Sequence, residues 1–153
     1  MKKSLLCMLV LSACGGGSGG SGTDTTSSGP KDTFDIQACL NQPTCVINGT
    51  HTVSVPLVIK NPIRISGSGT LLASATLSDT LLTASYTHDV EITGITIDGN
   101  KSARTCTGNY AGTNIHFDHV DNVLIDSITT RNAVCGSGFV ISGNKVRITN
   151  SSF

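Results

Sequence analysis

The sequence has no tryptophan, and its 153 residues include only two tyrosines and four phenylalanines. Large aromatic anchors are therefore scarce, and a core must be built from aliphatic side chains. Charge is scarce too: Asp, Glu, Lys and Arg make up 13% of the chain, and ten acidic residues balance ten basic ones. A chain of zero formal charge presents no field that would gather a polyanion, which argues against nucleic acid as a partner. The apolar run near the N-terminus, Leu5 to Leu11, is too short to span a bilayer. Residues 31–153 show no convincing helical period. What is abundant is Gly, Ser, Thr and Asn, a composition of strands and turns in a chain of one-domain length.

The N-terminus reads MKKSLLCMLVLSAC. Lys2 and Lys3 precede the short apolar run, and small residues precede Cys14, the order of a secretory signal. Leu11-Ser12-Ala13-Cys14 resembles the lipobox of bacterial lipoproteins. That resemblance implies cleavage after residue 13, lipidation of Cys14 and, with Gly15 following, an outer-membrane anchor on its periplasmic or cell-surface face. Ordinary secretion with Cys14 as a spare thiol is the alternative. Residues 14–30, almost pure Gly, Ser and Thr, cannot bury apolar surface and read as a flexible tether. The folded domain is expected over residues 31–153.

Within it a repeat is visible. IRISGSGT from Ile63, VEITGITI from Val90, VLIDSITT from Val123 and VRITNSSF from Val146 align without gaps. A further short strand precedes each: LVI from Leu57, LLTAS from Leu81, NIHFD from Asn114 and GFVIS from Gly138. Polar turns at Asn61-Pro62, His88-Asp89, Asp121-Asn122 and Asn144-Lys145 join the two. Apolar residues alternate with period two, so each strand has one inward face. Units of this size bury nothing alone and close a core only when stacked, roughly 4.8 Å apart, into a solenoid. The fold class expected is all-β, a parallel β-helix of three-strand coils.

The block FDIQACLNQPTCVINGTHTVSVPLVIKNPIRISGSGTLL resembles the entry coil of the pectate-lyase-like right-handed β-helix superfamily. Ile36, Gln37, Ala38 and Leu40 match its amphipathic cap, and Gly49, Thr50, Pro56, Leu57, Gly67, Gly69 and Thr70 its first strands and turns. GITIDGN, Gly94 to Asn100, is a second common phrase of such proteins. The resemblance covers Thr33 to Phe153. It implies a short N-terminal cap over Phe34–Leu40, ligand binding along one sheet and the loops beside it, and a polysaccharide as partner, bound or cleaved by a lyase or hydrolase mechanism. Calcium is the cation it admits. It does not fix the activity, because the superfamily also holds tailspikes and adhesins. The Asn-Thr-Asp, Asp-Asp, Gly-His-Gly and Arg-Ile-Lys pattern of polygalacturonases has no counterpart here, and the paired carboxylates of glycoside hydrolysis are missing. Phe153 falls at a core position of its repeat with no cap after it. The reading is either that further C-terminal coils are lacking or that the open end docks on a partner subunit, which includes self-association.

The stretch NIHFDHVDNVLIDSITTRN, Asn114 to Asn132, concentrates two histidines and three aspartates. Superposing Val90, Val123 and Val146 sorts them. Ile115, Phe117, Val123 and Ile125 point inward, and His116, Asp118, Leu124 and Asp126 point outward. Asp121 and Asn122 belong to a turn. His116 and Asp118 share a face, and His119 can join them from the strand end. Three readings stay open: solvated polar residues, an acid–base pair with Asp118 orienting His116, and a weakly supported zinc site. In a catalytic reading Arg131 or Arg104 clamps a carboxylate of an acidic sugar, and Asp98 and Tyr110 complete the binding loops Asp98–Thr113 and Arg131–Gly138. A non-catalytic surface adhesin or structural solenoid, or an inactive fragment of a larger enzyme, is the rival. No cysteine pair has metal-site spacing. Export favours disulfides, and sequence proximity with loop equivalence suggests Cys39–Cys45 and Cys106–Cys135 among three pairings.

Overall fold

The computed structural model describes residues 34–108 and 112–153. The expected signal, Cys14 and tether lie outside the described residues. Chain order is a short helix α1 (Ile36–Leu40), then β1 (Thr44–Ile47), β2 (Thr50–Val53), β3 (Leu57–Ile59), β4 (Ile63–Gly67), β5 (Thr70–Ala73), β6 (Leu82–Ser85), β7 (His88–Thr93), β8 (Thr96–Asp98), a 3-10 turn (Lys101–Ala103), β9 (Ile115–Asp126), β10 (Thr129–Arg131) and β11 (Phe139–Thr149).

The fold is all-β, and every strand pairing is parallel. One curled sheet has the order β1-β4-β7-β9-β6-β3 with β11 also on β9; a second has the order β10-β8-β5-β2. This arrangement is compatible with a solenoid. Parallel pairs need a long connection between them. Here each connection passes through strands of the other stacks, so neighbours in space are one repeat apart in sequence.

The register is the one the repeat requires. Ile63 pairs with Val90, Val90 with Val123, and Val123 with Val146. Leu82, Ile115 and Phe139 form a second row, and Ala84, Phe117 and Ile141 a third. Ile59, Leu82, Ala84, Ile92, Ile97, Ile115, Phe117 and Ile125 have no exposure at all. Period-two alternation is the cause: in β9 each of Ile115, Phe117, Val123 and Ile125 is buried, and His116, Asp118, Leu124 and Asp126 lie between them half-exposed.

Two differences from the sequence reading concern the turns and Phe153. Asp121-Asn122 and Asn144-Lys145 were expected to separate strands, yet β9 and β11 run through them. The chain bends there through left-handed residues, His119 and Asn122 in β9 and Lys145 in β11. Pairing with the neighbouring strand continues on both sides of each bend, so the strands do not break. Phe153, assigned to the core, is 58% exposed and stacks on Phe139 at 5.2 Å. No strand covers β11 on its far side among the described residues.

The other end is closed. Asp35 caps α1, its carboxylate accepting from the Ala38 N–H at 2.9 Å. Ile36 and Leu40 enter the core. The Gln37 amide donates to the Val58 carbonyl and accepts from the Val58 N–H, each at 2.9 Å. One side chain thus satisfies a backbone donor and acceptor that the first strand of its stack would otherwise leave bare. Cys39–Cys45 fastens the cap to β1, as the spacing suggested.

Candidate functional site

The loops after β8 and β10 and the outward face of the β6–β9–β11 stack hold most of the candidate residues. Cys106 and Cys135 are joined, as their equivalent loop positions suggested, which ties the connection after β8 to the one after β10. Arg104 anchors the first loop below. Its Nε donates to the Leu77 carbonyl at 2.8 Å, and its terminal nitrogens donate to the Gly99 and Asp79 carbonyls at 3.0 and 2.8 Å. The guanidinium is spread over three backbone oxygens, where it organises the loop; the structure does not bring it to Arg131 as a second clamp. Tyr110 lies outside the described residues.

Asp98 is buried at the end of β8, and Arg131 sits at the equivalent position of β10. Arg131 Nε donates to Asp98 Oδ2 at 2.8 Å, Asn132 Nδ2 donates to Oδ1 at 3.0 Å, and the Asn100 N–H donates to Oδ1 at 2.9 Å. Burial alone raises the pKa of this carboxyl. The Asn100 N–H, the Asn132 amide and the Arg131 guanidinium together outweigh burial and hold the group below the usual carboxylate range. Asn114, fully buried, ties the same region together by donating to the Arg131 carbonyl at 2.8 Å and the Ile97 carbonyl at 3.3 Å. Sequence reasoning passed over Asn114. Its signal was position: a polar residue directly before an inward-facing isoleucine.

His116 and Asp118 share the outward face of β9, as alternation required. His116 lies between Thr83 and Val140 of the flanking strands. The hydrogen bonds of Asp118 go elsewhere. Ser142 Oγ donates to Oδ1 at 2.6 Å, and His119 Nδ1 lies 2.9 Å from Oδ2. These two contacts, Ser142 first, keep the exposed carboxyl ionised below its ordinary pKa; His116 contributes only a weaker charge effect. Asp118 therefore orients His119, because a left-handed backbone at His119 (φ 51°) turns that ring back over the preceding carboxylate.

The same bend yields a feature that the sequence reading missed. Ser85 pairs with Asp118, so Tyr86 and His119 occupy one column, both left-handed. Their rings stack at 4.8 Å with an interplanar angle of 15°. Tyr86 is 79% exposed. The superposition of valines already implied the pairing of Ser85 with Asp118; extending it one residue finds the ring column.

Asp121 lies at the next bend, 3.7 Å from Lys145 Nζ. Asp126 accepts from Thr149 at 2.6 Å and Asn150 at 2.8 Å. Among the described residues no three His, Cys, Asp or Glu side chains converge as a metal-ligand set. The chain matches no family model, no curated protein and no solved structure.

Proposed function

We propose that this chain is a polysaccharide-binding surface protein: a right-handed β-helix carried on a lipid anchor at Cys14. The carrying observation is the exposed Tyr86–His119 ring pair beside the fixed, ionised carboxylate of Asp118. Saccharides are bound by flat apolar ring faces together with rigid hydrogen-bonding groups. Both are present on a β scaffold whose side chains hold one another in place. The carboxylates considered for chemistry are already engaged, Asp98 by Arg131 and Asn132 and Asp118 by His119 and Ser142. Binding is the activity assigned to this face.

Stacked coils are supported by the row of Ile63, Val90, Val123 and Val146, and the right hand by the general preference of crossover connections. The anchor and the outer-membrane location rest on Leu11-Ser12-Ala13-Cys14 and the Gly/Ser tether. Affinity electrophoresis of the full chain through gels containing pectate, alginate, glucan, mannan or galactan tests the binding. Retardation by at least one polymer is expected, with retardation reduced in Tyr86→Asn. Free migration in every gel overturns the reading. Metabolic labelling with radioactive palmitate tests the anchor, with incorporation expected in the parent and none in Cys14→Ala.

A further inference from the structure

The Tyr86–His119 column stops after two rings, and the place where a third would stack is empty. Strand stacking sets the spacing: the 4.8 Å between the two ring centres is the separation of neighbouring strands. The following strand, β11, supplies no ring. Its pairing with β9 slips between Ile141 and Gly143, and Gly143 stands opposite Val120. A Cβ at Gly143 would run into the Val120 carbonyl oxygen, so no side chain can fill the column from that residue. A cavity of about 440 Å³ opens there, lined by His119, Asp121, Ser142, Gly143 and Asn144. It lies between His119 and the β11 segment, on the side of the imidazole away from Tyr86.

We propose that a neutral pyranose ring of the bound polysaccharide seats in this slot, its apolar C–H face against the His119 imidazole. The inference rests on the polysaccharide reading and deepens it by naming the sugar class and the subsite. Asp118 at Nδ1 and Tyr86 against one face together orient the imidazole. Ring hydroxyls pointing outward meet the Asp121 carboxylate, which accepts two hydrogen bonds, and the Asn144 amide, which donates and accepts. The charges on the rim select against an acidic sugar. Asp121 lines the slot, Asp118 lies beside it in contact with His119 and Ser142, and among the described residues Lys145 is the cation set against Asp121. A uronate carboxylate placed here meets like charge at short range. An uncharged hexose meets only hydrogen-bonding partners.

Titration calorimetry of the full chain with gluco-, manno- and galacto-hexaose, and with hexagalacturonate as the acidic probe, tests the assignment. At least one neutral oligomer is expected to bind. His119→Asn removes the ring but keeps a residue that accepts a left-handed backbone, and should weaken that oligomer about fivefold or more. Asp121→Asn, at the rim, should weaken it as well and serves as the deciding variant should His119→Asn not fold. Circular dichroism and the thermal midpoint check that each variant is native. Unchanged affinity in both folded variants, or binding of the acidic oligomer alone, overturns the slot while leaving polysaccharide binding in place. Binding of no oligomer, together with free migration in every polymer gel, removes both.

Discussion

Asp98 and Asp118 are both aspartates on parallel strands, both held ionised by neighbouring donors, and they do different work. Asp98 is buried and closed off: a guanidinium, an amide and a backbone N–H surround it, and the loops after β8 and β10 lie over it. Asp118 is open on one side, its two partners sit on the surface, and the ring it orients faces outward. Surroundings, and not residue type, separate a group that organises a loop from one that presents a binding surface. Asp98 is the buried member of its pair, so removing the exposed Arg131 guanidinium would leave that carboxylate without its charge partner. An exposed ion pair is worth little to stability, since water replaces what is lost.

Variants break or sharpen this contrast in order of size. Phe117→Ala removes the fully buried ring beneath both His116 and Asp118 and should destabilise the fold by about 3–5 kcal/mol. Chemical denaturation measures it, and a loss near zero would mean that the inward rows are not the core. Replacing Cys106 and Cys135 together by alanine should cost about 2–4 kcal/mol, read from the denaturation midpoint of the variant against the parent. Asp98→Ala leaves the Asn100 N–H and Arg131 without their acceptor and should cost about 1–3 kcal/mol. Asp118→Asn, by contrast, should leave the thermal midpoint where it was and weaken saccharide binding; a large stability loss there would erase the distinction between the two aspartates.

Acid provides a milder probe of the same contrast. The folded pKa of Asp98 lies below its ordinary value, so its contribution to stability is present above about pH 4. It is lost as pH falls below that and through the depressed folded value. Stability measured between pH 5 and pH 2 should fall less steeply in Asp98→Ala than in the parent chain. Equal slopes would show that Asp98 is not linked to folding.

Much of this was legible in the sequence, for a reason particular to stacked strands. Alternation of period two says which side chains face inward, and a repeat says which residues lie beside each other. Together they place Val90, Val123 and Val146 in one row and pair Cys106 with Cys135, while plain sequence proximity pairs Cys39 with Cys45. The repeat does not reveal what happens at the bends. A left-handed residue redirects its side chain out of the alternation, so His119 turned to Asp118 while the pattern favoured His116. Nor does it reveal backbone acceptors. Arg104, a natural carboxylate clamp on charge grounds, is satisfied by three carbonyls that no sequence pattern marks. The slot beyond His119 depends on a one-residue slip of pairing at Ile141–Gly143, which alternation read strand by strand cannot detect.

The Cys106–Cys135 link has a mechanical consequence. It joins residues 29 apart in sequence, a span that contains β9 and β10, the strands between the loops it fastens. A pull along the chain is carried across the sulfurs, and the enclosed segment bears no tension. At roughly 3.5 Å per residue, about 100 Å of contour stays hidden until the link is reduced. A single molecule stretched from its two ends should lengthen after reductant by that much and by roughly 20 Å more from the six-residue span closed by Cys39–Cys45. Until the Cys106–Cys135 link is reduced, the part of the chain that carries the His119 ring is not itself pulled by a load applied at the two ends.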